Sequence, residues 1–231
     1  MKSKSIIVAA LAFTAMPLYA EEMEVTASPS SASASPADNA LEFTLGFGYA
    51  QGFGDIGAGR PSLTDQITAG GELQLGLGWR IDPHFMVGIY GTGGLQGTGS
   101  VTSSGTIYTA TAGVQGNYHF LPSNEWDPWI GLGAGWRGMW IDRDVGGTDS
   151  VHGIDLARVT AGVDYRVNSR FAVSPYVGVG LTTFLSQELA GQGGFSSVPG
   201  NDVNVWVSAG IQTRFDLFGR EGPAVRLASA N

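Results

Sequence analysis

The chain has 231 residues, 36 of them glycine, no cysteine, and a formal net charge of -8. Only 14% of the residues are charged, against about 25% in an average aqueous domain, yet mean hydropathy stays near zero. That balance excludes a protein built of apolar membrane helices, which need about 20 consecutive apolar residues each. The acidic charge argues against nucleic-acid binding, which needs basic groups to displace counterions. The absence of cysteine excludes a disulfide scaffold, a thiolate metal site and a cysteine nucleophile.

The N-terminus reads as a secretory leader. Met1-Lys2-Ser3-Lys4 is a basic start, residues 6–16 are apolar, and Pro17-Leu18-Tyr19-Ala20 resembles a cleavage region, giving a signal peptide over 1–20. Lys2 and Lys4 are the only lysines, so removing the leader takes the net charge from -8 to -10 (-8 minus 2). Residues 21–39 contain the low-complexity run VTASPSSASASPADN. Such Ser/Ala/Pro-rich sequence cannot bury enough apolar surface to offset its ordering entropy, which predicts a flexible tether.

From residue 40 the chain alternates apolar and polar residues in eight runs, each near ten residues long. A period of two is the signature of a strand with one apolar face. The first run, LEFTLGFGY, sets Leu41, Phe43, Leu45, Phe47 and Tyr49 against Glu42, Thr44, Gly46 and Gly48. A long gap over residues 50–66 follows. The second run sets Leu73, Leu75, Leu77 and Trp79 against Glu72, Gln74, Gly76, Gly78 and Arg80, and Asp82-Pro83-His84 predicts a tight turn. The third sets Phe85, Val87 and Ile89 against Met86, Gly88 and Tyr90, before a second long gap at 93–105.

The fourth run, residues 107–120, carries Thr109, Thr111, Gln115, Asn117 and His119 on its polar face. After a short turn at 121–127, the fifth opposes Ile130, Leu132, Ala134 and Trp136 to Gly131, Gly133, Gly135 and Arg137. A third long gap, dense in aspartate, spans 141–153. The sixth opposes Val159, Ala161, Val163, Tyr165 and Val167 to Arg158, Thr160, Gly162, Asp164 and Arg166. Asn168-Ser169-Arg170 makes a tight turn. The seventh opposes Val173, Val177, Val179 and Leu181 to Ser174, Tyr176, Gly178, Gly180 and Thr182, with Pro175 weakening the strand or marking a bulge. A fourth long gap covers 185–200. The eighth opposes Val205, Val207, Ala209, Ile211 and Phe215 to Trp206, Ser208, Gly210, Gln212 and Arg214.

Strands of 9–11 residues suffice to cross a bilayer at a tilt. Gaps that alternate long and short give two different ends, as in a membrane barrel with long external loops and tight periplasmic turns. Either face of such a sheet could line a barrel, since a soluble barrel turns its apolar set inward. Three features favour apolar-out: the glycine-rich polar face, aromatic residues gathered at strand ends (Tyr49, Trp79, Phe85, Tyr118, Phe120, Trp129, Trp140, Phe171, Phe215), and the loop alternation. The reading is an all-β, eight-stranded antiparallel up-and-down transmembrane β-barrel over 40–218, with a tail at 219–231.

On LEFTLGFGY, NYHFLPSNEWDPWIGLGAGWR and DYRVNSRFAVSPYVGVGLTTF the chain resembles the small outer-membrane β-barrel superfamily of the OmpA, OmpX and OmpW kind. The resemblance covers roughly 40–218 and implies fold and location more than activity. It implies the outer membrane of a Gram-negative-type bacterium, with outer-membrane lipid and lipopolysaccharide around the barrel and the barrel-assembly machinery as a partner during insertion. One departure is the end of the chain, where GREGPAVRLASAN follows Phe218 instead of a terminal aromatic.

Candidate sites are few. Gly52-Phe53-Gly54-Asp55-Ile56-Gly57 matches GxGxxG, which cradles a pyrophosphate only between a strand and a helix, and no helical pattern follows. Asp142, Asp144 and Asp149 begin like a calcium loop, but Gly146 and Gly153 stand where ligands are needed, so a solvated acidic loop is the simpler reading. His84, His119 and His152 fall in a turn, near a strand end and in an outer loop, and no catalytic triad is apparent.

The strongest constellation is the polar-face charges Glu42, Glu72, Arg80, Arg137, Arg158, Asp164, Arg166 and Arg214. Buried charges persist only when paired, and Arg214 and Glu42 become neighbours if the barrel closes. Eight strands leave just enough interior for side chains. The network is therefore read as a plug, with a narrow channel for small or apolar solutes as the alternative and a membrane-embedded hydrolase as the remote one. No catalytic residue, cofactor or nucleic-acid partner is expected, and the barrel is read as a monomer.

Overall fold

The computed structural model describes residues 39–101, 105–144, 146–200 and 202–218. The expected leader, the Ser/Ala/Pro segment up to residue 38 and the tail from 219 lie outside the described residues.

Eight long strands make the barrel: β1 (Ala40–Phe53), β2 (Ile67–Arg80), β3 (Phe85–Thr98), β4 (Thr106–His119), β5 (Trp126–Arg143), β6 (Gly147–Asn168), β7 (Phe171–Glu188) and β8 (Val203–Leu217). Each pairs antiparallel with its neighbours in sequence. β8 returns to pair with β1, from Leu41 opposite Leu217 to Phe53 opposite Val205. The sheet therefore has no long free edge. Among the described residues no helix is long and apolar enough to cross a membrane, and the only helix is the single turn α1 (Leu63–Gln66).

The alternation of the sequence becomes two faces. Glu42, Gln74, Arg80, Asn117, Arg158, Asp164, Gln212 and Arg214 are buried inside. Phe47, Leu75, Leu77, Ile89, Val114, Leu132, Val177 and Ile211 lie exposed on the outside. A polar interior inside an apolar exterior is the reverse of a soluble barrel, and it needs an apolar surrounding.

One end carries tight turns. The Asp82 Oδ1 accepts from the backbone N–H groups of His84 (2.8 Å) and Phe85 (2.9 Å), and the Asn168 Oδ1 accepts from that of Arg170 at 2.9 Å. These are Asx turns, in which a short side chain stands in for backbone. The other end carries the longer connections. Two of the expected long gaps are partly strand: β3 continues to Thr98, and β5 and β6 continue as a hairpin in which Arg143 faces Gly147. Beyond the apolar band both strand faces can be polar, so the period-two signal disappears while the hydrogen bonding continues.

Pro175 does not mark a bulge. It sits opposite Ile211 with the β7–β8 register unbroken. On its β6 side the register is the same before and after it, from Gly162 opposite Tyr176 to Tyr165 opposite Val173. The missing N–H removes a hydrogen bond without shifting the strand. The bulges lie elsewhere, at Thr68/Gly71, Gly133/Gly135 and Asp155/Ala157 among others.

Candidate functional site

The interior is filled in three layers. At the turn end, Glu42 is held from both sides: its Oε2 is 2.5 Å from Arg80 Nη2 on β2, and its Oε1 is 3.0 Å from Arg214 Nε on β8. Arg214 also pairs with Asp164. Arg166 lies 3.5 Å from Asp127 and 3.8 Å from Asp216, which in turn is 3.7 Å from Arg80. His119 completes the layer, with Nδ1 2.7 Å from Asp127 Oδ2 and Nε2 3.1 Å from Arg214 Nη1. A ring donating from Nδ1 and accepting at Nε2 suits both partners.

This layer sets Arg80, Arg166 and Arg214 against Glu42, Asp127, Asp164 and Asp216, all nearly excluded from water. Such charges hold in a low-dielectric interior only because each has a partner of opposite sign. Trp129 packs within it. Its Nε1 donates to Ser174 Oγ at 2.9 Å, and the Arg214 guanidinium lies 5.6 Å from its ring. Trp129 is therefore an interior residue, not a member of the outer aromatic set as the sequence suggested. Gly162 makes room for it: a Cβ there would come within 2.7 Å of the indole.

The middle layer is a second network. Arg158 Nη2 donates to Gln74 Oε1 at 2.5 Å, Gln74 donates to Gln212 at 3.3 Å, and the Arg158 guanidinium lies over the Tyr90 ring at 4.7 Å. Arg137 makes a two-pronged pair with Asp155, at 2.8 and 3.0 Å, and lies 4.3 Å over the Trp206 ring. Thr182 also donates to Asp155. Glu72, Arg137 and Arg158 line a cavity of about 20 Å³ between them, room for about one water.

The loop end is closed by an apolar layer. Ile67, Ile107, Met139, Ile141, Val151, Phe184 and Trp206 from the strands meet Ile56, Leu63 and Val198 from the loops. The first and fourth loops are tied across the mouth by the Ala58 N–H donating to Pro199 O at 2.8 Å. The GxGxxG stretch belongs to this cap: Ile56 is buried, and a Cβ on Gly57 would lie 2.2 Å from the Pro199 carbonyl oxygen. Close packing accounts for that glycine without a nucleotide.

On the outside, rings collect at two levels. Trp79, Phe85, Tyr118, Phe120, Trp126 and Tyr165 are exposed near the turns, and Tyr49, Tyr108 and Trp136 near the loops. Flanking aromatic girdles are the mark of a strand bundle standing in a bilayer. The neisserial surface protein A superposes on the chain with a TM-score of 0.52 at 14% identity, over 77% of this chain and 97% of that one.

The chain has the fold of the small eight-stranded outer-membrane β-barrels.

The outer-membrane protein OprG of Pseudomonas aeruginosa also matches, at 14% identity and TM-score 0.47, over 78% of this chain and 98% of that one. So does the N-terminal barrel domain of OprF from the same organism, at 13% identity and TM-score 0.40, over 78% and 99%. No protein-family model and no curated protein sequence matches the chain. In an outer-membrane barrel the tight-turn end is periplasmic and the loop end external.

The remaining sequence candidates take their places accordingly. Asp142, Asp144 and Asp149 belong to the β5–β6 hairpin at the loop end. Asp142 accepts from Thr148 at 2.9 Å, while Asp149 holds Arg143 at 2.5 Å and accepts from the Ala190 N–H at 2.8 Å. Two of the three carboxylates are thus occupied within the protein. His152 lies on β6 and not in an outer loop, with Nε2 3.2 Å from the Ser150 oxygen.

His119, Asp127 and Asp164 bring one ligand atom each within 4.8 Å of one another. The Arg214 guanidinium, bound to Asp164 and beside His119 Nε2, already stands where a cation would enter. The charge network read from the sequence left out Asp127, Asp155 and Asp216, and His119 although it was placed on a polar face. Their positions on polar faces carry the signal for Asp216 and His119, since each continues the alternation of its strand. Asp155 lies beyond a bulge, where counting by twos fails.

Proposed function

We propose that the barrel is non-conducting and acts as a structural or surface-interaction element of the outer membrane. The observation that supports this is the continuous filling of the interior: an ion-pair layer around Glu42 and Arg214, a second around Arg158 and Arg137, and an apolar cap under the first and fourth loops. A path through it must break several buried pairs, each stabilised by desolvated charge. The parts free to act are the external loops. Outer-membrane lipid and lipopolysaccharide surround the barrel, and the assembly machinery inserts it as a monomer.

A second reading, a narrow path for small or apolar solutes, is favoured by the apolar lining of the external mouth. It requires the first and fourth loops to part. A hydrolase is disfavoured by the geometry. His119 offers its second nitrogen to an arginine and not to a serine, and Ser150 and His152 are near neighbours with no carboxylate bonded to the ring among the described contacts.

Swelling of liposomes loaded with the refolded protein tests the reading. We expect no swelling in arabinose or glycine above empty liposomes. Swelling that falls with solute size establishes the channel instead.

A further inference from the structure

Phe195 is 67% exposed in the fourth loop, whose Val198 is buried in the cap. Its ring contact is with His152, centroid to centroid 5.6 Å. His152 stacks on Trp136 at 5.7 Å and meets Trp140 edge-on at 5.5 Å. Trp136, Gly138 and Trp140 alternate along the outer face of β5, and His152 lies opposite Gly138 on β6. The four rings thus form one patch on the outside of the barrel wall.

The depth of that patch follows from β5. Ten residues separate the exposed Trp126 from Trp136. At about 3.3 Å per residue and a tilt near 40°, they rise about 25 Å, the height of the apolar band of an outer-membrane barrel. Trp126 therefore marks the periplasmic interface and Trp136 the external one. His152 stands two residue pairs beyond Trp136, and Phe195 rests against it, at the boundary between acyl chains and headgroups.

The loop suits that boundary. Residues 189–200, LAGQGGFSSVPG, contain no charged side chain. The neighbouring hairpin carries Asp142, Arg143, Asp144 and Asp149 within eight residues. Gly191, Gly193 and Gly194 have nothing near the position of a Cβ, and two of them have positive φ, 79° and 97°. The tip stands clear of the protein and turns sharply enough to lay one ring sideways.

We propose that Phe195 is a membrane-interface anchor that seats the fourth external loop on the outer leaflet, with a lipid surface as its partner. Trp136 and Trp140 of the same patch are of the type enriched at that interface, and the apolar Phe195 ring extends their patch toward the acyl chains. The anchor fixes the fourth loop beside the wall and leaves the charged hairpin as the part that faces water.

The chain has no cysteine, so a single introduced one labels cleanly. A nitroxide on Ser196→Cys, refolded into phosphatidylcholine vesicles, is read for collision with oxygen and with a water-soluble nickel complex. Labels on Leu75→Cys and Asp144→Cys give the lipid and water references. We expect the Ser196 label to lie between them, and Phe195→Ser in the same background to move it to the water value. A label as open to nickel as that at Asp144, or shielded from both oxygen and nickel as by another protein surface, overturns the proposal. So does a Phe195→Ser variant whose label does not move.

Discussion

Glu42 on β1 is bound by Arg80 of the strand on one side and by Arg214 of the strand on the other, so one carboxylate joins the first, second and last strands where the barrel closes. Both flanking arginines have further acidic partners, Asp216 and Asp164. The closure is therefore held by a shared network and not by a single pair.

Removing the shared member should be costly. Glu42→Ala leaves two guanidiniums facing a gap, and we expect a loss of about 3–5 kcal/mol. The readout is the temperature at which the heat-modifiable band changes mobility. Glu42→Ala combined with Arg214→Ala should be less damaging than the sum of the two. Glu42→Ala combined with Arg137→Ala, in different layers, should be additive.

The outward and inward faces predict different penalties. Leu75→Arg or Val177→Arg places a charge on the lipid side and should cost about 2–4 kcal/mol near the bilayer midplane, seen as reduced folding yield into vesicles. Leu75→Met should fold as the parent does. Gln74→Arg is not the mild change its polar face suggests, because Gln74 accepts from Arg158 at 2.5 Å. We expect it to lower stability by setting two guanidiniums together.

Sidedness is open to the same labelling chemistry. Asp144→Cys should react with an impermeant maleimide on intact cells, and Asn168→Cys only after the outer membrane is opened. The reverse pattern turns the barrel over.

Gly162 offers a packing test. Gly162→Ala brings a Cβ within 2.6 Å of the Pro175 carbonyl oxygen and 2.7 Å of Trp129. Overpacking of this kind costs typically about 1–3 kcal/mol. A drop in the heat-modification temperature should accompany a change in the fluorescence of the buried indole.

Much of this arrangement was legible in the sequence. The alternation over Leu41–Tyr49 or Val205–Ile211 fixes both faces of a strand, and from it the inward positions of Glu42, Arg80 and Arg214 follow by counting. The partner of Glu42 across the closure followed from the chain being a closed barrel. Three things were hidden. Trp129 looks like an interfacial ring because it is aromatic and near a strand end, and only its parity and the space over Gly162 show that it points inward. The hairpin at 142–149 lacks alternation because it stands beyond the apolar band, where Asp142 and Thr148 are exposed and Asp149 is turned to protein partners. The apolar cap joins Ile56, Leu63 and Val198, which are far apart in the chain and carry no shared period.

The central claim is that the interior is closed, and planar-bilayer recording of the refolded protein tests it most directly. The filled interior predicts no stable unitary steps from the parent protein. Stable steps that disappear when the first and fourth loops are cross-linked through Ala58→Cys and Pro199→Cys would contradict it and establish a gated channel.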